Sequence, residues 1–373
     1  MSSIKQIAVK YHCNDLGGKV WNPALRWTQK YAVFIELTDE VGRVGLGECW
    51  CFDAKPDALL AFIRTEVAPH FLGQALENAE AVMAERLQFA TLSARHGMLS
   101  AALSGFDIAT WDLRAQQQGM PLWQLLNPQG SGQARLYASG GLYGANKSTD
   151  DLAAEMAGLA QQGFQCSKMK VGALSLAEDM ARIQAVLHAL PVDSRLIIDC
   201  VYHYDYATVM QLWAQLPHQR IEALQSPLTA HDYVGMSRLV ANGVPVMANE
   251  AEYRMELHRE LVERQAVRYL QLAPVACGGV SRVLALAEQV ADTPVQLSLE
   301  VSSTAVALMA SAQLAAADHR IAPIEYHTVH QVFFEHLPLI QVQECPDVYN
   351  LPEVAGLGIS LPEEGVTTAS ILR

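Results

Sequence analysis

Apolar residues recur along the last two thirds of the chain in two alternating patterns. Short apolar runs, typical of buried strands, alternate with longer segments in which apolar residues return every three or four positions, as on one face of a helix. Polar or turn-forming positions close successive strand-like runs at intervals of 23 to 29 residues. Seven or eight strands alternating with helices at this rhythm predict a parallel sheet closed into a (β/α) barrel. The closing positions are Lys170, Asp199, Gln225, Glu250 and the neighbourhoods of Ala273, Glu300 and Glu325.

The first third of the chain follows a different pattern. Residues 4–10 and 31–37 have the pattern of strands, and a turn at 39–42 leads into a third strand at 44–48, which predicts an antiparallel sheet. An apolar stripe that ends before a glycine and a proline predicts a helix over 97–118. We therefore predict an α+β domain at 1–130, a (β/α) barrel at 131–345, and a segment at 346–373 that returns to the first domain.

Composition narrows the class of protein. The chain has 373 residues, of which 51% are hydrophobic and 17% charged, so it can bury a large core. Its net charge of −13 argues against nucleic acid and anionic membranes as partners. No apolar run is long enough to span a membrane, and the N-terminus lacks the core of a signal peptide. The seven scattered cysteines are typical of reduced thiols. We expect a cytoplasmic protein that forms homo-oligomers and acts on a small molecule.

Two lysines are the first candidates for chemistry. Lys168 and Lys170 share one face of a predicted strand, which places them about 7 Å apart. Each positive charge disfavours protonation of the other amine, so one of them can serve as a base. Taken alone, the pair is equally consistent with two solvated lysines on an edge strand. Asp199, Gln225 and Glu250 also lie at the C-terminal ends of strands, where (β/α) barrels carry out chemistry, and this coincidence favours an active site.

Two loops of the first domain carry aromatic and basic side chains outside any apolar pattern. The first loop contains Trp21 and Arg26, and the second contains Trp50 and Phe52. These four residues are candidates for binding the substrate. The alternative is that they pack under a lid.

Five short segments carry a further signal, and together they resemble the enolase superfamily. Within it, the chain is similar to the mandelate racemase-like and muconate lactonizing-like enzymes over nearly its whole length. The resemblance implies an enolase-like, modified TIM barrel with an N-terminal α+β capping domain that the C-terminal segment completes. The segments are Val44–Glu48, Phe106–Asp112, Pro121–Leu126, Lys168–Lys170, and Pro352 with the Gly-Leu-Gly run at 356–358.

The resemblance also implies a reaction. Members of this family bind a substrate carboxylate to Mg²⁺ and abstract the adjacent α-proton, which gives an enediolate. This proton is very weakly acidic, so a divalent cation and nearby cationic groups must neutralise the developing charge. Mg²⁺ prefers hard oxygen ligands. The implied ligands are Asp199, Gln225 and Glu250, with Lys170 as the base and Lys168 lowering its pKa and contacting the carboxylate.

Four positions depart from the family pattern. Gln225 stands where the family usually has Glu, so the ligands carry one negative charge fewer and Mg²⁺ should bind more weakly. Val201 replaces a supporting Asn. Ala273 stands where the family has a Lys base or an Asp that supports a catalytic His. Glu300 lies near the position of that His, so the usual His–Asp dyad is absent.

These departures favour a lyase that dehydrates a sugar acid. Elimination needs one base, Lys170, and then an acid, for which Lys168, Glu300 or a loop residue are candidates. A racemase or epimerase, or a cycloisomerase of the same superfamily, is the enzymatic alternative. A barrel that has lost catalysis and acts as a binding protein is the other. His327 and His330 have a possible metal spacing, but no further Cys or His clusters with them in sequence, so we do not expect a zinc site.

Overall fold

The computed structural model describes residues 2–51, 55–88, 90, 96–337 and 347–373. Within these residues, no helix is both long and apolar enough to cross a membrane. The strands are β1 (Ile4–Asp15), β2 (Val20–Trp21), β3 (Gln29–Asp39), β4 (Val44–Cys49), β5 (Gln133–Ser139), β6 (Tyr143–Gly144), β7 (Cys166–Lys170), β8 (Arg195–Asp199), β9 (Ile221–Gln225), β10 (Val246–Ala248), β11 (Tyr269–Leu272), β12 (Gln296–Leu299), β13 (Ile324–His327), β14 (Val348–Asn350) and β15 (Thr367–Leu372).

Helices cover both sheets, and several begin at side-chain caps. Ser148 and Ser175 each form a capping box, and Asp205 and Asp232 accept hydrogen bonds from the first turns of their helices. The helices are α1 (Asp57–Phe62), α2 (Ala68–Phe71), α3 (Ala79–Gln88), α4 (His96–Gln118), α5 (Leu122–Leu126), α6 (Thr149–Gln161), α7 (Leu176–Ala189), α8 (Tyr206–Trp213), α9 (Tyr233–Ala241), α10 (Met255–Glu263), α11 (Pro274–Cys277), α12 (Gly279–Val290) and α13 (Ala305–Ala317), with a π-helical turn at Ile63–Val67 and 3-10 turns at Leu76–Asn78, His218–Arg220 and Phe334–His336.

The predicted barrel is confirmed. Eight strands of the described chain lie parallel in the order β12-β11-β10-β9-β8-β7-β5-β13, which nearly closes the sheet on itself. Neighbouring strands end in register, so Lys170 pairs with Asp199 and Asp199 pairs with Gln225. The side chains predicted to carry chemistry therefore lie along one rim.

The capping domain is an antiparallel sheet in the order β15-β1-β3-β4. Its edge strand β15 comes from the C-terminus and pairs with β1. The domain boundaries at 130 and 345 remain predictions, and residue 345 lies outside the described residues.

The close packing of β4 against α4 explains why this strand contains two glycines. A side chain at Gly45 would place its Cβ 2.2 Å from the carbonyl oxygen of Ala109, and one at Gly47 would lie 2.0 Å from that of Gly105. Both carbonyls belong to α4, so the backbones of strand and helix are in direct contact and leave no room for a methyl group.

Glu48, the next residue of β4, joins the capping domain to the barrel. Its buried carboxylate accepts hydrogen bonds from the Ser303 hydroxyl, from Thr304 Oγ1 at 2.6 Å and from the backbone N–H of Ala307 at 3.1 Å. These donors lie at the start of α13, where a negative charge is favoured. The position of the capping sheet over the barrel is thereby fixed.

Gly47→Ala should destabilise the protein by about 3 kcal/mol or more, because the strand and the helix would have to separate. Gly158→Ala is the matched control. Gly158 lies in α6, and a Cβ added there would have no atom within 4 Å, so alanine should stabilise by about 0.5 to 1 kcal/mol. Thermal unfolding of both variants tests the contact. Equal midpoints for the two would contradict it.

Candidate active site

One cavity lies between the rim of the barrel and the loops of the capping domain. Its volume is about 260 Å³. The strand ends of the barrel supply most of its polar lining, and the capping domain supplies aromatic and small side chains. The lining includes Asn22, Leu25, Trp27, Trp50, Lys170, Asp199, Val201, Tyr202, Gln225, Glu250, Glu300, Ser302, His327 and His330.

The two lysines of β7 differ in their surroundings. Lys168 Nζ lies 2.6 Å from Glu325 Oε1 and donates a hydrogen bond to Gln225 Oε1 at 3.0 Å. Burial would lower the pKa of Lys168, but the charges of Glu325 and Asp199 outweigh it and raise the pKa to about 12. Lys168 is therefore a fixed positive charge.

Lys170 is the amine that a ligand can reach. Its side chain lines the cavity and is 10% exposed, whereas that of Lys168 is 1% exposed. The Lys170 ammonium donates to Asp199 Oδ2. That Lys170 is the base and that Lys168 assists it remain predictions.

Three oxygen-bearing side chains converge on the same wall of the cavity. Asp199, Gln225 and Glu250 are all buried or nearly so, at the ends of consecutive strands. Burial raises the pKa of Glu250, and the neighbouring charge of Asp199 raises it further. Two carboxylates that repel each other, with an amide oxygen between them, fit a hard divalent cation such as Mg²⁺. Among the described residues, no group of three or more His, Cys, Asp and Glu side chains is placed to hold a metal. Gln225 supplies an amide oxygen beside the two carboxylates, and its role as a ligand remains a prediction.

Tyr202 holds one of these side chains in place by a hydrogen bond, and sequence analysis did not identify it as a site residue. Its hydroxyl donates to Glu250 Oε2 at 2.6 Å, and Ser226 Oγ donates to the same atom at 3.1 Å. Val201 and Tyr202 both adopt positive φ angles, 48° and 59°, and the N–H of Val201 donates to Asp199 Oδ1 at 3.0 Å. The backbone N–H of Val201 and the phenol of Tyr202 thus hold Asp199 and Glu250 in place, although position 201 lacks the Asn that the family often has. The position of Tyr202 in the loop directly after Asp199, which ends a strand, could have identified it from the sequence.

Glu300 faces the cavity from the other side of the barrel. It is 6% exposed, and its Oε2 atom has no hydrogen-bond partner in the described part of the chain. Burial raises the pKa of Glu300 to about 7, with a further contribution from the charge of Glu325. Ala273, at the end of β11, is fully buried and has no group that could titrate.

Lys30 of the capping domain also reaches this side, and it was not identified from the sequence. It is 4% exposed, and its ammonium donates to the carbonyl oxygen of Ser302. Burial lowers the pKa of Lys30 to about 7, although the charges of Glu300 and Glu48 oppose this change. The sequence pattern could have identified Lys30, because it shares one face of β3 with Ala32 and Phe34, whose side chains belong to the core of the barrel.

His327 and His330 lie side by side, with ring centroids 4.2 Å apart. Burial lowers the pKa of both imidazoles well below the ordinary value, and the nearby lysine charges act in the same direction. Both rings are therefore neutral near pH 7. Neither ring nitrogen of His330 has a hydrogen-bond partner within the described residues, so this edge of the cavity offers polar atoms to a ligand.

The four candidate substrate-binding residues are placed differently. Trp50 lines the cavity. Trp21 and Arg26 do not: β2 pairs with β6, the Trp21 ring stacks on Tyr143, and Arg26 lies over Trp21 at 4.1 Å. Phe52 lies outside the described residues.

Comparisons with known proteins agree with this architecture. Residues 24–127 match the mandelate racemase / muconate lactonizing enzyme N-terminal domain, and residues 151–365 match the enolase C-terminal domain-like family. The chain is 27% identical to D-galactarolactone cycloisomerase of Agrobacterium fabrum over 92% of each chain. It is 27% identical to arabinonate dehydratase of Saccharolobus solfataricus over 77% of this chain and 76% of the relative.

A solved structure supports the fold. A racemase from Streptomyces coelicolor with bound magnesium superimposes with a TM-score of 0.84 at 19% identity, covering 96% of this chain and 97% of the racemase. Magnesium is typical of such proteins. With both domains matched and the barrel rim arranged as described, the chain belongs to the enolase superfamily, among the mandelate racemase and muconate lactonizing enzyme-like proteins.

Proposed function

We propose that the protein catalyses a one-base elimination on a sugar acid: Lys170 removes the proton α to the carboxylate, and Glu300 protonates the hydroxyl group that leaves as water. One observation carries this proposal. Lys170 and Glu300 line the same cavity from different sides of the barrel, together with the oxygen-bearing wall of Asp199, Gln225 and Glu250.

Asp199, Gln225 and Glu250 would hold Mg²⁺. When bound there, the cation supplies positive charge that stabilises the carboxylate as negative charge develops on it. The chain itself contributes Lys168, whose fixed ammonium lies beside Gln225 and adds to the same stabilisation. Trp50 and the capping loops restrict the access of water to this charge.

The elimination balances with the groups present. Lys170, after its ammonium has released one proton to solvent, takes the α-proton on Nζ, and the electrons of the C–H bond form a double bond to the β-carbon. The bond between the β-carbon and its hydroxyl oxygen breaks, and that oxygen takes a proton from the carboxyl group of Glu300 to leave as water. An acid whose pKa lies near 7 is suited to this step at neutral pH.

A racemase or epimerase is a weaker candidate. Exchange of configuration normally needs a base on each face of the α-carbon, and Ala273 supplies none. A cycloisomerase remains the second candidate, because opening a lactone by elimination also needs a single base, and the cycloisomerase relative aligns over nearly its whole length. A set of sugar acids and their lactones, with acylated amino acids as the contrast, incubated with Mg²⁺ and followed by NMR, tests the class of reaction.

Lys170→Ala should abolish exchange of the substrate α-hydrogen with deuterated solvent, because the base is lost. Lys5→Ala, which removes an exposed lysine of the capping domain, should leave exchange unchanged. Circular dichroism establishes that both variants fold. Exchange near the wild-type rate in Lys170→Ala would rule out this base, and no exchange by the wild type on any compound would favour a binding protein.

Only one α-epimer of a substrate should be processed, with water lost and little interconversion of epimers. Lys168 and Lys170 approach from one strand, and the opposite face offers Glu300 as an acid. The measurement is α-proton exchange for each epimer by NMR. Similar rates for both epimers would reveal a second base and contradict the one-base mechanism.

Gln225→Glu should bind Mg²⁺ about tenfold more tightly, because a third carboxylate adds charge to the ligand set, although part of that gain is lost to desolvation. Glu250→Gln is the reciprocal change and should weaken binding. Isothermal titration calorimetry of wild type and both variants provides the test. Unchanged affinity in both would mean that these side chains are not ligands.

A further inference from the structure

Lys30 joins the capping domain to the loop that carries Glu300. It lies on the face of β3 that packs on the barrel, beside Ala32 and Phe34. Its ammonium donates to the carbonyl oxygen of Ser302, two residues after Glu300 and 272 positions from Lys30 in sequence. The backbone that follows β12 is thus held by a side chain from the other domain.

A buried ammonium at this contact has an energetic cost that an apolar residue would avoid. Of the negative charges around Lys30, Glu300 acts on it most strongly, followed by Glu48 and Glu325. Glu48 is already bound by three donors at the start of α13, and Glu325 lies against Lys168. Glu300 is the member of this set that faces the cavity with an unpartnered oxygen within the described residues.

We propose that Lys30 is a positioning residue for Glu300: its ammonium, which donates from the capping domain to the carbonyl oxygen of Ser302, fixes the loop that carries the catalytic acid and places a positive charge beside it. The acid of the reaction is therefore completed by the capping domain. This inference rests on the proposed function only in naming Glu300 as the acid.

The direction of the effect follows from reciprocity. Because the carboxylate of Glu300 favours the charged form of Lys30, the ammonium must favour the ionised form of Glu300 by the same free energy. The two pKa values both lie at about 7. Removing the positive charge should therefore raise the pKa of Glu300 and extend its protonated form to higher pH. Within the described residues, the other charged or titratable groups that act on this pair include Glu48, Lys168, Lys170, Glu250, Glu325, His327 and His330.

Infrared spectroscopy can follow the proton without a substrate. The carbonyl stretch of protonated Glu300 is the band that wild type shows and Glu300→Gln lacks, and its intensity is measured against pH at constant Mg²⁺ concentration. In Lys30→Met, the midpoint of this band should move up by about one pH unit or more. Lys30→Gln, which keeps a donor for Ser302 but loses the charge, should show the same shift.

Two controls separate charge from structure. Lys30→Arg retains the positive charge and should keep the wild-type midpoint. Lys10→Met removes a lysine that pairs with Glu36 elsewhere on the capping sheet and should not move the midpoint. A purely structural role for Lys30 would lower the thermal midpoints of the variants without moving the band.

The proposal is overturned if the band titrates at the same pH in wild type, Lys30→Met and Lys30→Gln, or if no band near neutral pH distinguishes wild type from Glu300→Gln. On a compound that the enzyme turns over, the alkaline limb of kcat/KM should move to higher pH in Lys30→Gln and stay in place in Lys30→Arg. A failure of the proposed function can be distinguished from a failure of this inference. It would appear as α-proton exchange that persists in Lys170→Ala, a variant that leaves Lys30 and Glu300 unchanged.

Discussion

The burial of charge between two domains is the constraint on which the site depends. A lone ion taken from water into a protein costs several kcal/mol, and this cost is offset only when a partner of opposite charge is placed with good geometry. Lys168 and Glu325 form a buried ion pair within the barrel. Burial would raise the pKa of Glu325, but Lys168 and Lys170 together hold it at about 2, so the pair remains ionised. The fixed pair contributes to the electrostatic field at the side chains of Lys170 and Glu300, which line the cavity.

Hydrogen bonds are also formed at two of the positions where the chain departs from the family pattern. Gln225 places a neutral amide where the family usually has Glu, and its amide oxygen accepts from Lys168, so the lysine keeps a partner on that side. The phenol of Tyr202 and the N–H of Val201 support Glu250 and Asp199. The wall keeps its shape while its charge is reduced.

Sequence reasoning succeeded where the chemistry is local to a strand. Alternation along β7 and the spacing of strand ends placed Lys170, Asp199 and Gln225 in one rim, because parallel strands that end in register must bring those residues together. Sequence reasoning failed where the position of a side chain depends on contacts between segments that are distant in sequence. The contact of Lys30 with Ser302 spans 272 positions, and the two-residue strand β2 that carries Trp21 away from the cavity has no signature in its composition.

The contacts of Glu48 with the start of α13 have a consequence for how molecules enter and leave. Further bonds join the domains along α4, where Ser100 donates to the carbonyl of Ala276 and Asp107 accepts from Ser281. Domains fastened at both places cannot swing apart as rigid bodies without exposing buried carboxylates and hydroxyls. Leu25 and Trp50 of the capping domain line the cavity, so the size of its opening depends on residues outside the barrel and can change in evolution while the barrel rim stays constant.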